Sequence, residues 1–237
     1  MEIKNKTQIA IIHKLMFVQK LKYSELHEVT DNHDLFNYHL KELQKKGLIL
    51  KKDSQYLLSE KGRQFVHHME EDKTIQAKFK VGLWMDVLRE HKGHWQMLLH
   101  RRLKHPQYGW IGSVTSKIQY GSPIADNITR ELKEEINITP QKFDVLGAVR
   151  CFFKDKEDKV VGDGVFYSIA IPDWTGELRF KNIEGEYFWY DIDKILELDK
   201  IFRTGFELGL PHLNKYLKKP DSYTPYLIEM TSSVKDF

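Results

Sequence analysis

Apolar residues recur at helical spacing in the first third of the chain and alternate with polar ones through most of the rest. Ile9, Ile12, Leu15, Met16 and Val18 predict a helix over residues 7–20. Residues 24–29 predict a short second helix capped by Ser24. A third is predicted over 34–46, with Leu35, Phe36, Leu40 and Leu43 facing inward and Gly47 at its stop. Two extended runs, 48–52 and 56–59, flank Asp53-Ser54-Gln55 and predict a hairpin with a polar tip. Residues 60–68 predict a closing helix.

From Phe79 the period changes. Strands are predicted over 81–88, 95–101, 144–153, 160–171 and 187–190. A helix is predicted over 122–136, with further helical signals at 193–198 and 203–217. The charged stretch 70–76 has no strong period and places a boundary there, giving domains 1–72 and 73–237. A length of 237 residues suits two modest domains. Tyr223, Tyr226 and Leu227 in the tail are expected to pack back on a domain or on a partner.

Chemistry concentrates in the helix over 122–136. Glu131, Glu134 and Glu135 stand at i, i+3 and i+4 and share one helical face, while Ile124, Ile128 and Leu132 form an apolar seam on another. On spacing alone this is either a solvated face or a site for a hard divalent cation such as Mg²⁺ or Mn²⁺. Ser122 followed by Pro123 is a good cap with proline at the first helical position.

The run Arg130-Glu131-Leu132-Lys133-Glu134-Glu135-Ile136-Asn137-Ile138 resembles the second half of the Nudix hydrolase signature, G-x5-E-x7-R-E-U-x-E-E-x-G-U, where U is bulky and apolar. Residues 97–102 with Gly109-Trp110 upstream, and 184–195 downstream, are similar to flanking parts of that family, so the resemblance covers about residues 79–200. It departs at the signature's first Glu, which falls on Ser122, and its first Gly, which falls on Ser116. The late Gly falls on Asn137, which tolerates the left-handed conformation that ends a helix. The resemblance implies hydrolysis of a nucleoside diphosphate linked to another moiety. Glu131, Glu134 and Glu135 would be metal ligands, Arg130 would orient a carboxylate, and Glu184 or Glu186 would be a further catalytic carboxylate.

The three helices and hairpin of the amino end resemble the winged helix-turn-helix of bacterial and archaeal transcription regulators. The resemblance implies double-stranded DNA as partner, with Asn37, Tyr38, His39, Lys41, Lys45, Lys51 and Lys52 as the binding residues. A homodimer follows if two recognition helices meet two half-sites. A winged helix used for protein contact is the alternative. The expected fold class is α+β in two domains, a winged helix-turn-helix followed by a Nudix α/β/α sandwich with a mixed sheet.

Composition adds bounds. A net charge of +3 predicts no nucleic-acid partner by itself, so the case for DNA is local. No apolar run approaches a membrane span and no signal peptide is visible, so a cytoplasmic protein without a membrane partner is expected. Cys151 is the single cysteine and reads as a packed strand residue. His91, His94 and His100 could suggest zinc, but they have no cysteines or helical spacing beside them, and Gly93 between His91 and His94 points to a hairpin turn. Two functions compete: a Mg²⁺-dependent Nudix hydrolase regulated by its amino end, or a transcription regulator whose Nudix domain senses a nucleotide-type metabolite without catalysis. Retention of the three carboxylates favours the first; Ser116 and Ser122 favour the second.

Overall fold

A computed structural model describes residues 3, 5–67, 69 and 79–233. The expected boundary at 70–76 lies outside the described residues. The chain divides into two compact units, one built on the amino-terminal residues together with Leu103–Tyr108, the other on Phe79–Arg102 and Gly109–Ser233.

In the first unit, α1 (Lys6–Met16) begins where the Asn5 side chain accepts the Thr7 and Gln8 N–H groups at 2.9 and 3.2 Å. It ends at Met16, short of the predicted Lys20, because Leu21–Lys22 leaves as strand β1. Helix α2 (Tyr23–His27) is capped not by Ser24 but by the Glu25 carboxylate, which accepts the Lys22 N–H at 2.5 Å. Helix α3 (His33–Lys45) starts at an Asn32 cap and stops at Gly47, whose φ of +71° favours a residue without a Cβ. Strands β2 (Ile49–Lys52) and β3 (Gln55–Leu58) meet through Asp53 and Ser54, both at positive φ, as a two-residue hairpin requires. The sheet order is β1-β3-β2, and α4 (Glu60–His67) closes the unit. Ile11, Ile12, Leu15, Leu26, Phe36, Leu43 and Leu48 form its core. The His105 N–H donates to the Met16 carbonyl at 2.7 Å within this unit.

The second unit is built on eight strands. They are β4 (Lys80–His91), β5 (His94–Arg102), β6 (Ile111–Gly112), β7 (Val114–Lys117), β8 (Ile138–Lys154), β9 (Val160–Gly176), β10 (Gly185–Asp191) and β11 (Tyr226–Ser233). The main path runs β10-β5-β4-β9-β8-β11, with β6 on β5 and β7 on β4. The β4–β9 and β8–β11 pairs are parallel and the others antiparallel, so the sheet is mixed.

Alternation along β4 and β5 builds two cores. Leu83, Met85, Val87 and Leu98 pack with Ile128, Leu132 and Ile136 of α5 (Ile124–Ile136) on one side. Leu88, Met97 and Leu99 pack with Phe206, Leu210 and Leu213 of α6 (Arg203–Lys218) on the other. Helices on both faces give an α/β/α architecture. The tail does pack back: β11 pairs with β8, and Tyr223 donates to the Leu146 carbonyl at 3.1 Å, while Leu227 stays exposed. Gly147 makes that approach possible, since a Cβ there would lie 2.4 Å from the Tyr226 carbonyl oxygen. Cys151 is buried in β8, and burial pushes its thiol up to about 12. Among the described residues no helix is long and apolar enough to cross a membrane.

Candidate functional site

Helix α5 carries the signature residues and is held at both ends by side chains. At its start, Ser122 is not the cap: Pro123 occupies that position and no side chain caps it. The buried Asn127 instead ties down the turn that leads into the helix. Its carbonyl accepts the Gln119 N–H at 2.9 Å, and its amide donates to the Pro123 and Ser122 carbonyls at 2.7 and 3.2 Å. Ser116, at the signature's first glycine position, lies in strand β7 opposite Leu83. At the far end Asn137 takes the left-handed conformation, φ 59°. Arg179 donates from its backbone to the Ile136 carbonyl at 2.9 Å and from its guanidinium to the Glu134 carbonyl at 3.0 Å. Asn182 donates to the Glu135 carbonyl at 3.2 Å. These bonds satisfy carbonyls that a helix end otherwise leaves open.

The predicted catalytic and metal-ligating residues separate into engaged and open groups. Glu131 lies 2.7 Å from Arg130 with its side chain 17% exposed. Arg130 also lies 4.0 Å from Glu134 and donates to the Asn127 carbonyl at 3.1 Å, so its guanidinium faces two carboxylates. Glu134 points outward, 65% exposed. Glu135 accepts a hydrogen bond from the Tyr187 hydroxyl at 3.0 Å. Burial, with the Glu135 charge behind it, pushes the Tyr187 phenol well above its usual range, so it stays a donor.

Glu184 and Glu186 part company. Glu186 pairs with Lys181 at 2.8 Å and Arg101 at 3.7 Å, and the Lys181 hydrogen bond holds its carboxyl low. Glu184 donates its backbone N–H to Asn182 at 2.8 Å, in the loop that caps α5. The Glu184 and Glu135 charges both act on the Arg102 guanidinium, where desolvation opposes them. His100 stacks on Tyr187 with ring centroids 4.8 Å apart; burial, then the Arg102 charge, pull its imidazole down to about 4. Arg102, Tyr187, Asn182 and Arg179 escaped the sequence reading as site residues, and His100 entered it only with His91 and His94 as a zinc candidate that was set aside. His100, Arg102 and Tyr187 stand in segments that carry the family resemblance, but only strand pairing brings them under α5.

The expected DNA-binding set is also divided. Tyr38 is 60% exposed, and Lys41, Lys45, Lys51 and Lys52 are exposed. Asn37 is half-buried and accepts the Tyr23 hydroxyl at 2.7 Å. His39 does not belong on an open face: it is buried, with its Nδ1 3.3 Å from the Gln8 amide, and burial lowers its pKa. Positions 36, 39, 40 and 43 are i, i+3, i+4 and i+7, so His39 falls on the apolar stripe. Leu35 lies beside that stripe and is exposed, contrary to its expected inward place.

The family description of the NUDIX domain matches residues 81–207, more than half the chain, and the chain belongs to the Nudix family. Residues 2–69 match a domain of unknown function, DUF7347. The chain is 26% identical over 96 residues to an uncharacterized Nudix hydrolase, YvcI, of Bacillus subtilis, covering 40% of this chain and 60% of that relative's length. Among solved structures it is similar to a MutT protein from Bacillus halodurans, at TM-score 0.51 and 20% identity over 66% of this chain and 91% of that one. It is also similar to the Nudix domain of Shewanella oneidensis NrtR, solved with ADP-ribose, at TM-score 0.48 and 15% identity over 65% and 96%.

Nudix hydrolases generally use divalent metal ions. The donors here suit such an ion in kind, but not as they are held. Glu131 is turned to Arg130 and Glu135 to Tyr187, and Ser122 stands at a position where the signature has a carboxylate. Among the described residues no group of three His, Cys, Asp or Glu side chains is placed to hold a metal. As these side chains are held, they do not make a metal centre among the described residues.

Proposed function

We propose that this chain is a DNA-binding regulator whose Nudix unit senses a nucleotide-type metabolite, a nucleoside diphosphate linked to another moiety. One observation carries the sensing half of this reading: Glu135, a carboxylate that a hydrolase directs at a cation, is engaged by Tyr187. The retention of Glu135 has a structural reason, since its bond to Tyr187 ties α5 to β10. The amino-terminal unit serves as output, a winged helix whose α3 and hairpin offer Tyr38, Lys41, Lys45, Lys51 and Lys52 to phosphates and base edges. Two such helices reading two half-sites call for a homodimer in the cytoplasm.

A second reading is Mg²⁺-dependent hydrolysis. It is favoured by Glu134, which is open to solvent one turn from Glu131 on the same helix. Phosphate release from a panel of nucleoside-diphosphate compounds, ADP-ribose and nucleotide sugars included, separates the two when run with Mg²⁺ or Mn²⁺. The sensor reading expects no turnover and thermal stabilisation by one of the compounds. Turnover that disappears in Glu134→Gln would establish the hydrolase instead.

A further inference from the structure

The pairing of β10 with β5 sets Gly185 opposite Arg102 and Tyr187 opposite His100. Side chains two apart share a face of a sheet, so these four positions look the same way. The Tyr187 hydroxyl reaches Glu135, which fixes the direction: this face lies under the last turn of α5. Gly185 keeps the corner open, since a Cβ there would stand 1.9 Å from His100 Nε2. Asn182 gathers the rest. It accepts the Glu184 and Gly185 N–H groups at 2.8 and 2.9 Å and donates to the Glu135 carbonyl and the Tyr187 hydroxyl at 3.2 and 3.1 Å. Glu184 and Glu135 are thereby brought from a loop and a helix to the corner that Arg102 enters from β5.

We infer that Arg102 is a built-in counter-cation for Glu135 and Glu184, standing in for a divalent ion, so that the Nudix unit takes a nucleoside-diphosphate ligand without a metal. The inference deepens the sensor reading and rests on it. The chemistry favours arginine in this role. A guanidinium keeps its charge when desolvated, and its planar donors suit two carboxylates at once. The charges of Glu184 and Glu135 offset the burial that would otherwise destabilise it. The neighbouring imidazole, held neutral by burial and by Arg102 itself, adds no second cation to the corner. A divalent ion entering here would meet a fixed positive charge and carboxylates already engaged. A diphosphate would meet a corner in which Arg102 offsets one of the two carboxylate charges.

Mn²⁺ binding to the full chain, followed by electron paramagnetic resonance, tests this. Wild type should take up no Mn²⁺ at the corner, and its signal should match that of Glu135→Gln. Arg102→Gln should gain Mn²⁺ affinity by about tenfold or more, the gain vanishing when Glu135→Gln is added. Arg102→Lys keeps the charge and should gain none; with wild type it decides the matter if Arg102→Gln fails to fold. The panel compound that stabilises wild type should do so equally in Mg²⁺ and in chelator. Wild-type Mn²⁺ binding lost in Glu135→Gln, no gain in a folded Arg102→Gln, or stabilisation abolished by chelator would each overturn the inference. Turnover without Mn²⁺ uptake would overturn the sensor reading and leave the role of Arg102 standing. Mn²⁺ uptake without turnover would do the reverse.

Discussion

Helices α3 and α5 are each 13 residues long and amphipathic, yet they dispose of charge in opposite ways. On α3 the residues outside the buried stripe, Tyr38, Lys41 and Lys45, face solvent. On α5, Glu131 and Glu135 are turned to Arg130 and Tyr187, and the carbonyls of its last turn are taken by Arg179 and Asn182. Charge left in water stays free to meet an external anion at little cost to the fold. Charge drawn inside becomes part of what positions the helix, and a ligand must then work with the partners already present. The same pattern of acids at helical spacing can therefore describe a cation site or a set of internal tethers.

The contrast is sharpest at the buried charges of the second unit. Asp86 of β4 is 8% exposed, accepts the Ser113 hydroxyl at 2.7 Å, and is pushed by burial from 3.8 up to about 7. A carboxyl raised in the folded state is no burden while both states are protonated, and costs stability as pH rises through the folded value. Asp86→Asn should therefore stabilise the protein by up to about 4 kcal/mol near pH 8, with the gain falling to nearly nothing near pH 4. His100 works the other way. Its folded value of about 4 lies below the ordinary 6.5, so its contribution is present above 6.5 and lost as pH falls towards 4. It acts alike in both chains and cancels in the difference. Denaturant unfolding of both at the two pH values checks this; a gain independent of pH would show that Asp86 is not a buried ionised group.

A smaller effect is expected at the tether itself. Tyr187→Phe leaves Glu135 and Asn182 each one hydrogen bond short and should cost about 1–3 kcal/mol in the same assay. Loss well below that range would mean that Glu135 is free to turn elsewhere, and would bring α5 closer to α3 in character. The smallest effect on stability belongs to Lys41→Ala with Lys45→Ala, within about 0.5 kcal/mol. The same double variant should weaken DNA binding and lower its log–log salt slope by about 2, measured by fluorescence anisotropy across salt concentrations. Unchanged affinity and slope would remove α3 as the DNA-reading face.

Much of the fold was legible because its signals are local. Gly47 and Asn137 stand where a left-handed residue ends a helix, and Lys92-Gly93 turns β4 into β5. Alternation along 81–88 and 95–101 is the two-sided burial of β4 and β5 seen from the sequence. Even the inward place of His39 was written in the 36-39-40-43 spacing, though a polar residue on that stripe reads at first as a surface one. Strand β1 was not legible: two residues show no period, and it exists because β3 offers it an edge.

The sequence by itself determined the types of most elements and the row of carboxylates along α5, since each depends on neighbours within a few turns. It did not decide what those carboxylates face. That rests on the register of β10 against β5 and on the Asn182 loop, which bring Arg102, His100 and Tyr187 to Glu135 from distant parts of the chain. Periodicity tells which side of an element is polar. Only the pairing of elements sets which charge stands opposite, and that opposition separates a cation site from a closed set of internal bonds.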